Sequence, residues 1–287
     1  MPGLVIAYEI MRWEERAIVN AAREAGLKVT SLHLHAVFLP IGGFAKPLPT
    51  DPLSSIVVQR AVSHVSALNS TLVMESMGFK VINSSEALAK SFNKVWTLVS
   101  LAKAGLNTPR TAVALGEEPC YKLAQLIGYP LVVKPIDGSW GRLLALVRDE
   151  EELRTILEHR AYMANPSMKV HMVQEYVKKP GRDIRVFTIG DEVVAAIYRV
   201  SSHWITNTAR GGRAEPAHVD PELEDLALRA AKALGVEFAG IDVFEDRDRG
   251  YLVNEVNAIP EFKNTVAVTG CKVHVKLVDY AKSVLKK

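Results

Sequence analysis

The apolar positions of the first third come in short runs separated by mixed stretches. Residues 4–8 read Leu-Val-Ile-Ala-Tyr, which predicts a buried strand. Residues 13–25 predict a helix stopped by Gly26, and residues 28–34 return to strand. The stretch 41–52 is rich in Gly and Pro and predicts a loop. A helix is expected over 60–78 and a short strand over 80–82. This βαβ rhythm points to a parallel sheet with helices on its faces. Ser84, Ser85 and Glu86 then cap a helix expected to run to about residue 104, with Gly105 and Pro109 marking its end.

Beyond this point the rhythm changes. Segment 111–114, a helix over 121–127 and a strand over 131–134 lead into a loop at 137–142. A strand over 143–147 and a helix over 150–159 follow. The last third predicts strands at 170–176, 183–189, 192–200, 240–244 and 251–256, interrupted by a helix at 221–234. The pattern is α/β first and α+β later, with the change falling near residues 85–110. The chain contains no internal repeat and no low-complexity segment.

Composition adds bounds. A chain of 287 residues suits one large domain or two to three compact lobes, and 48% hydrophobic with 23% charged residues is a globular balance. The net charge of +3 is too weak to demand nucleic acid and suits an acidic partner. No Lys/Arg cluster interleaved with aromatics supports a nucleic-acid surface. No apolar run reaches the roughly 18 residues of a membrane span. Cys120 and Cys271 stand far apart, without metal spacing, and read as reduced thiols. The expectation is a cytoplasmic protein with no membrane partner.

Four segments carry candidate chemistry. Around the hairpin turn expected at 245–250, strand alternation puts Glu255 and Asn257 on one face, with Asp242 opposite Glu255. Two carboxylates and an amide oxygen suit Mg²⁺, although the same spacing serves a solvent-facing side of an edge strand. Lys134 ends an apolar strand just before a loop containing Gly138, Ser139, Trp140, Gly141 and Arg142, where backbone N–H groups could approach phosphate. The loop is neither a P-loop nor a dinucleotide fingerprint. Gln174, Glu175, Tyr176 and Val177 precede Asp183 and Arg185, which share a strand face. A plain cross-strand ion pair and a nucleotide role both fit that pair. The polar stretch 198–212 holds Arg199, Thr206, Asn207, Arg210 and Gly211, and reads as a substrate-gripping loop or an ordinary surface loop. No nucleophile arrangement of the Gly-x-Ser-x-Gly or Cys/His kind is present.

The order Lys94, Lys134, Gln174-Glu175-Tyr176-Val177, Asp183-x-Arg185, Asp242, Glu255, Asn257 resembles the ATP-grasp ligases over about residues 85–270. The resemblance implies an ATP-grasp fold with an N-terminal parallel-sheet (pre-ATP-grasp) lobe, divided at 1–86, 87–173 and 174–287. It implies ATP and Mg²⁺ as cofactors. Lys94, Lys134 and the Gly loop would hold phosphates, residues 174–177 would meet adenine, and Asp242, Glu255 and Asn257 would hold magnesium.

Gly138 to Leu143, Gly181 to Arg185, His203 to Gly212 and Glu261 to Asn264 resemble a RimK-related subgroup, the LysX-type enzymes. That implies joining the α-amino group of α-aminoadipate to the γ-carboxyl of the C-terminal Glu of a small acidic carrier protein. Arg185, Arg199 and Asn207 would then grip phosphate or substrate carboxylates, with Asp183 and Asn207 also near the nucleotide. Thr206, Arg210 and Gly211 would line the substrate pocket. Asn264 and Thr265 resemble the aminoadipate type, where a Gly-Phe pair marks the glutamate type. Asn93 replaces an Asp usual in relatives, and Asn257-Ala258-Ile259-Pro260 departs from a bulkier His-Thr-Met. Glutamate, or both amino acids, therefore stay open as substrates, as does a non-catalytic nucleotide-binding module. A homo-oligomer, dimer or tetramer, is expected.

Overall fold

The structure is a computed structural model that describes residues 2–45, 48, 50–138, 141–206 and 211–285. The first third folds into β1 (Gly3–Tyr8), α1 (Trp13–Glu24), β2 (Lys28–His33), β3 (Ser55–Gln59), α2 (His64–Ser76) and β4 (Lys80–Ile82). The four strands make a parallel sheet in the order β2-β1-β3-β4. β3 is an addition to the expected elements. It is buried throughout, so its residues show no alternation, and periodicity cannot separate such a run from a helix. The expected helix from residue 60 begins only at His64, where the Ser63 hydroxyl accepts the Ser66 N–H. α1 packs on one face of the sheet with Ile18 and Ala22 against Leu4, Ile6 and Ile56. α2 covers the other face, with Met74 against Val5 and Val57.

The helix expected over 85–104 is two helices, α3 (Ser85–Phe92) and α4 (Lys94–Lys103). Asn93 breaks it: its backbone is extended, and its side-chain oxygen accepts the N–H groups of Val95 and Trp96, each at 3.0 Å. Asn favours this cap over the helix interior. Next come β5 (Thr111–Ala114), α5 (Glu117–Ile127), β6 (Leu131–Lys134), β7 (Ala145–Val147), α6 (Glu150–Tyr162) and β8 (His171–Glu175). They form an antiparallel sheet, β5-β8-β6-β7, with α5 and α6 closing a core around Cys120, Leu153 and Val173. β7 starts two residues later than expected, because Leu143 has positive φ and belongs to the preceding loop.

The third sheet contains β9 (Arg182–Ile189), β10 (Glu192–Val200) and β11 (Arg213–Pro216); α7 (Pro221–Leu234) follows, then β12 (Phe238–Asp246) and β13 (Gly250–Asn257). The order is β11-β10-β9-β12-β13, all antiparallel. β11, α8 (Lys263–Thr269) and α9 (Val273–Leu285) go beyond the elements the pattern predicts. One sheet face, with Ile184, Val186, Ile241 and Val243, packs on α7. The other, with Phe187, Ile197 and Phe238, shares a core with Leu4 and Ile18 of the first lobe and Leu277 of α9. Among the described residues no helix is long and apolar enough to cross a membrane.

Candidate active site

The face of the third sheet that is apolar at Phe187 and Phe238 turns polar toward the other end of the same strands. Strand alternation puts Asp183 and Arg185 on that face of β9, and the register does the rest. Arg199 lies opposite Asp183, Asp242 opposite Arg185, and Glu255 opposite Asp242. The β12–β13 ladder slips by one residue between Val243–Val253 and Asp242–Glu255. This bulge, at Asn254, brings Glu255 into register with Asp242.

The charges then pair across strands. Arg199 binds Asp183 through two nitrogens at 2.6 and 2.8 Å, and Arg185 binds Asp242 the same way at 2.7 and 2.8 Å. Arg199 also reaches Asp242 at 3.0 Å. So Asp183 is paired with Arg199, not with its strand neighbour Arg185. Burial works against the Asp242 charge, but Arg185 and Arg199 outweigh it and hold the carboxyl below its ordinary value. Burial also works against the Arg199 guanidinium, and Asp242 and Asp183 more than compensate. Thr206 donates its hydroxyl to Asp183 and accepts from Lys179 at 3.2 Å.

Residues from around all three sheets meet over this face. The Asn93 break makes Lys94 the first residue of α4; its Nζ donates to the Gly138 carbonyl at 2.6 Å and lies 3.1 Å from Glu255. Lys134, at the end of β6, donates to Asn254 Oδ1 at 2.9 Å. Burial pushes its ammonium down to about 7; Glu255 and Asp242 oppose the shift, while Lys94 and Lys179 add to it. Lys94, Lys134, Gly138, Gly141, Arg142, residues 174–177, Asp183, Arg185, Arg199, Thr206, Asp242, Glu255 and Asn257 all line one cavity.

Some predicted residues stand apart. Ser139, Trp140, Asn207 and Arg210 lie outside the described residues. Gly211 is exposed and is not in the cavity wall. Asn264 and Thr265 are not in the wall either. The chain leaves the cavity at Glu261 and enters α8, which leaves Asn264 exposed and Thr265 buried beneath. Two side chains of the 174–177 segment are engaged elsewhere: Gln174 donates to Thr111, and Glu175 accepts from Arg110 and Arg249 at 2.7 and 2.6 Å. Conversely, Arg12, His64, Lys179 and Asn254 line the cavity and are not among the expected site residues. The first two directly follow β1 and β3, and the carboxyl ends of parallel strands are the usual ligand crevice. His64 stacks on Phe92 at 3.9 Å, and burial with Lys94 nearby holds its imidazole below the ordinary value.

Among the described residues no group of three or more His, Cys, Asp or Glu could hold a metal. A cation here would rely on Asp242, Glu255, the Asn257 amide and ligand oxygens. That hard-oxygen set, with few protein carboxylates, fits Mg²⁺, which usually takes substrate phosphates as well.

A family model described as the RimK-like ATP-grasp domain matches residues 91–281. The chain belongs to the RimK-like ATP-grasp family. Residues 4–89 match the LysX preATP-grasp domain. The α-aminoadipate–LysW ligase LysX of Sulfurisphaera tokodaii is 42% identical over 99% of both chains. The glutamate–LysW ligase ArgX of the same organism is 37% identical, covering 97% of this chain and 98% of its own. The ATP-grasp fold is shared with a RimK domain protein from Sphaerobacter thermophilus, at TM-score 0.80, 23% identity and coverage of 97% and 98%. It is also shared with the ATP-grasp ligase PsnB, solved with a minimal precursor, Mg and ADP, at TM-score 0.75, 19% identity and coverage of 99% and 98%.

Proposed function

We propose that this protein is an ATP-dependent ligase that joins the α-amino group of α-aminoadipate to the γ-carboxyl of a C-terminal Glu on a small acidic carrier protein. The observation that carries the reading is one cavity lined by Lys94, Lys134, Arg185, Asp242, Glu255 and Asn257, in a chain alike from end to end to a LysX ligase. A carboxylate does not react with an amine because its oxygen leaves poorly. Transfer of the γ-phosphoryl group to the carboxylate oxygen, with ADP leaving, makes an acyl phosphate. The amine then attacks the acyl carbon, phosphate leaves, and the nitrogen sheds a proton.

In this reading Lys94 and Lys134 hold phosphate oxygens, and Arg185 and Arg199 offset charge that builds on them. Asn207, outside the described residues, is assigned by resemblance alone to grip phosphate or the substrate carboxylates. The backbone of residues 174–177 meets the adenine. Asp242, Glu255 and Asn257 would hold magnesium, which supplies charge neutralisation across the phosphates. Holding both reactants in line supplies a further part of the acceleration. The reading extends to three lobes divided at 1–86, 87–173 and 174–287, and to a cytoplasmic homo-oligomer whose net charge of +3 suits an acidic carrier.

The assay is ADP release with Mg-ATP, α-aminoadipate and an acidic peptide ending in Glu. Release is expected only with all three. Equal release without the peptide would overturn the reading. Pro260, in the cavity wall and packed against Gly240, favours a second reading in which glutamate is also joined. Competition between the two amino acids in the same assay decides.

A further inference from the structure

The first lobe brings its own groups to the cavity. β1 and β3 are neighbours, but the chain leaves β1 for α1 on one face and β3 for α2 on the other. That makes the gap between their carboxyl ends a topological switch point, where open α/β sheets bind ligands. Arg12, after β1, and Val62 and His64, after β3, line the cavity from this gap.

Arg12 is held from behind and loosely engaged in front. Its Nε and Nη2 donate to Glu15 at 3.2 and 3.0 Å. Glu15 is fully buried and also receives Arg60 Nε at 3.1 Å. Glu14, also buried, acts on both guanidiniums as well, so the two arginines are balanced from behind and Arg12 Nη1 is left for a further partner. Arg12 Nη1 donates to Glu261 at 2.8 Å, and the Glu261 side chain is 46% exposed. An exposed surface carboxylate is a weak, exchangeable partner.

We propose that the side-chain carboxylate of the amino-acid substrate enters this gap and takes the place of Glu261 on Arg12. The inference rests on the ligase reading. The α-carboxylate shares its carbon with the reacting amine, so it stays beside the phosphate-holding cations of the other lobes. The side-chain carboxylate reaches farther, and Arg12 is a pre-aimed guanidinium waiting for it. Arg12 is then a specificity residue: it selects dicarboxylic amino acids.

The test is steady-state ligation by Arg12→Gln, Arg12→Lys and Glu261→Gln. Substrates are α-aminoadipate, glutamate and 2-aminohexanoate, which has the six-carbon skeleton of aminoadipate without the distal carboxylate. Arg12→Gln is expected to raise KM for the dicarboxylic substrate about 10- to 100-fold, with KM for ATP and for 2-aminohexanoate unchanged. Arg12→Lys should recover part of that loss. Glu261→Gln, a surface change, should lower KM because it removes the competing carboxylate. If Arg12→Gln affects 2-aminohexanoate equally, or Glu261→Gln leaves KM the same or raises it, the assignment is overturned. Should Arg12→Gln not fold, Glu261→Gln decides alone. A wild type that joins glutamate and not aminoadipate overturns the proposed substrate and leaves Arg12 to be judged on glutamate. A wild type that joins neither overturns both.

Discussion

Lys134 is an ammonium sealed under three lobes, with a lowered proton affinity and an amide oxygen as its hydrogen-bond partner. A polyphosphate beside it favours the charged form, so nucleotide binding raises its value above about 7. Above that pH, binding must take up a proton, and affinity must fall as pH rises. Calorimetry of ATP binding in buffers of different ionisation enthalpy is expected to report this uptake, and Lys134→Met to abolish it. Glu255 is tested by Glu255→Gln, which keeps the shape and removes one charge. Ligation is expected to slow by on the order of 100-fold or more while nucleotide still binds. An unchanged rate of ADP release would remove Glu255 from the magnesium set. At this scale the sequence was informative about faces and silent about partners. Alternation put Asp183 beside Arg185, but the partner of each is set by cross-strand register, which the β9–β10 and β9–β12 ladders decide.

Elements deliver these residues through small irregularities. Asn93 ends one helix and starts the next, and so sets Lys94 against Gly138 and Glu255. Asn93→Ala is expected to cost about 1 kcal/mol of stability and to weaken ATP binding, read by thermal unfolding and nucleotide titration. Asn93→Asp, which keeps a short acceptor, should preserve both. Asp242, Glu255 and Asn257 were legible because they sit on two strongly apolar strands joined by a polar turn. The bulge that aligns them was not, since nothing in the local pattern at Asn254 marks an extra residue. Arg12 and His64 were illegible for a different reason. Arg12 is a lone polar residue in the loop before α1 and His64 is the first residue of α2, and the meaning of each comes from the order in which parallel strands are laid side by side.

Across the whole molecule, the first lobe is fastened to the last segment by buried polar groups. Arg60 is fully buried, binds Glu15 and donates to the Pro260 carbonyl at 2.9 Å. Burial works against the Glu15 charge, but Arg60 and Arg12 outweigh it and hold the carboxyl below its ordinary 4.5. A lowered carboxyl contributes its stabilisation in full above the unfolded value and loses it as pH falls through the folded one. Wild type is therefore expected to lose this contribution as pH falls below the ordinary 4.5, with Glu15→Gln showing a flatter profile there by denaturant titration. At neutral pH the variant should be less stable by about 3–5 kcal/mol, because Arg60 keeps its buried charge without the carboxylate it is hydrogen-bonded to.

α9 adds an order in time. Its Val273, Leu277 and Ala281 complete the same core as Leu4, Ile6 and Ile18. Chains are made from the N-terminus, and lobes tend to fold as they emerge. Here β1 cannot finish packing until α9 has followed it out. Until then α1 covers part of that core, and the part that Val273, Leu277 and Ala281 will cover stays exposed.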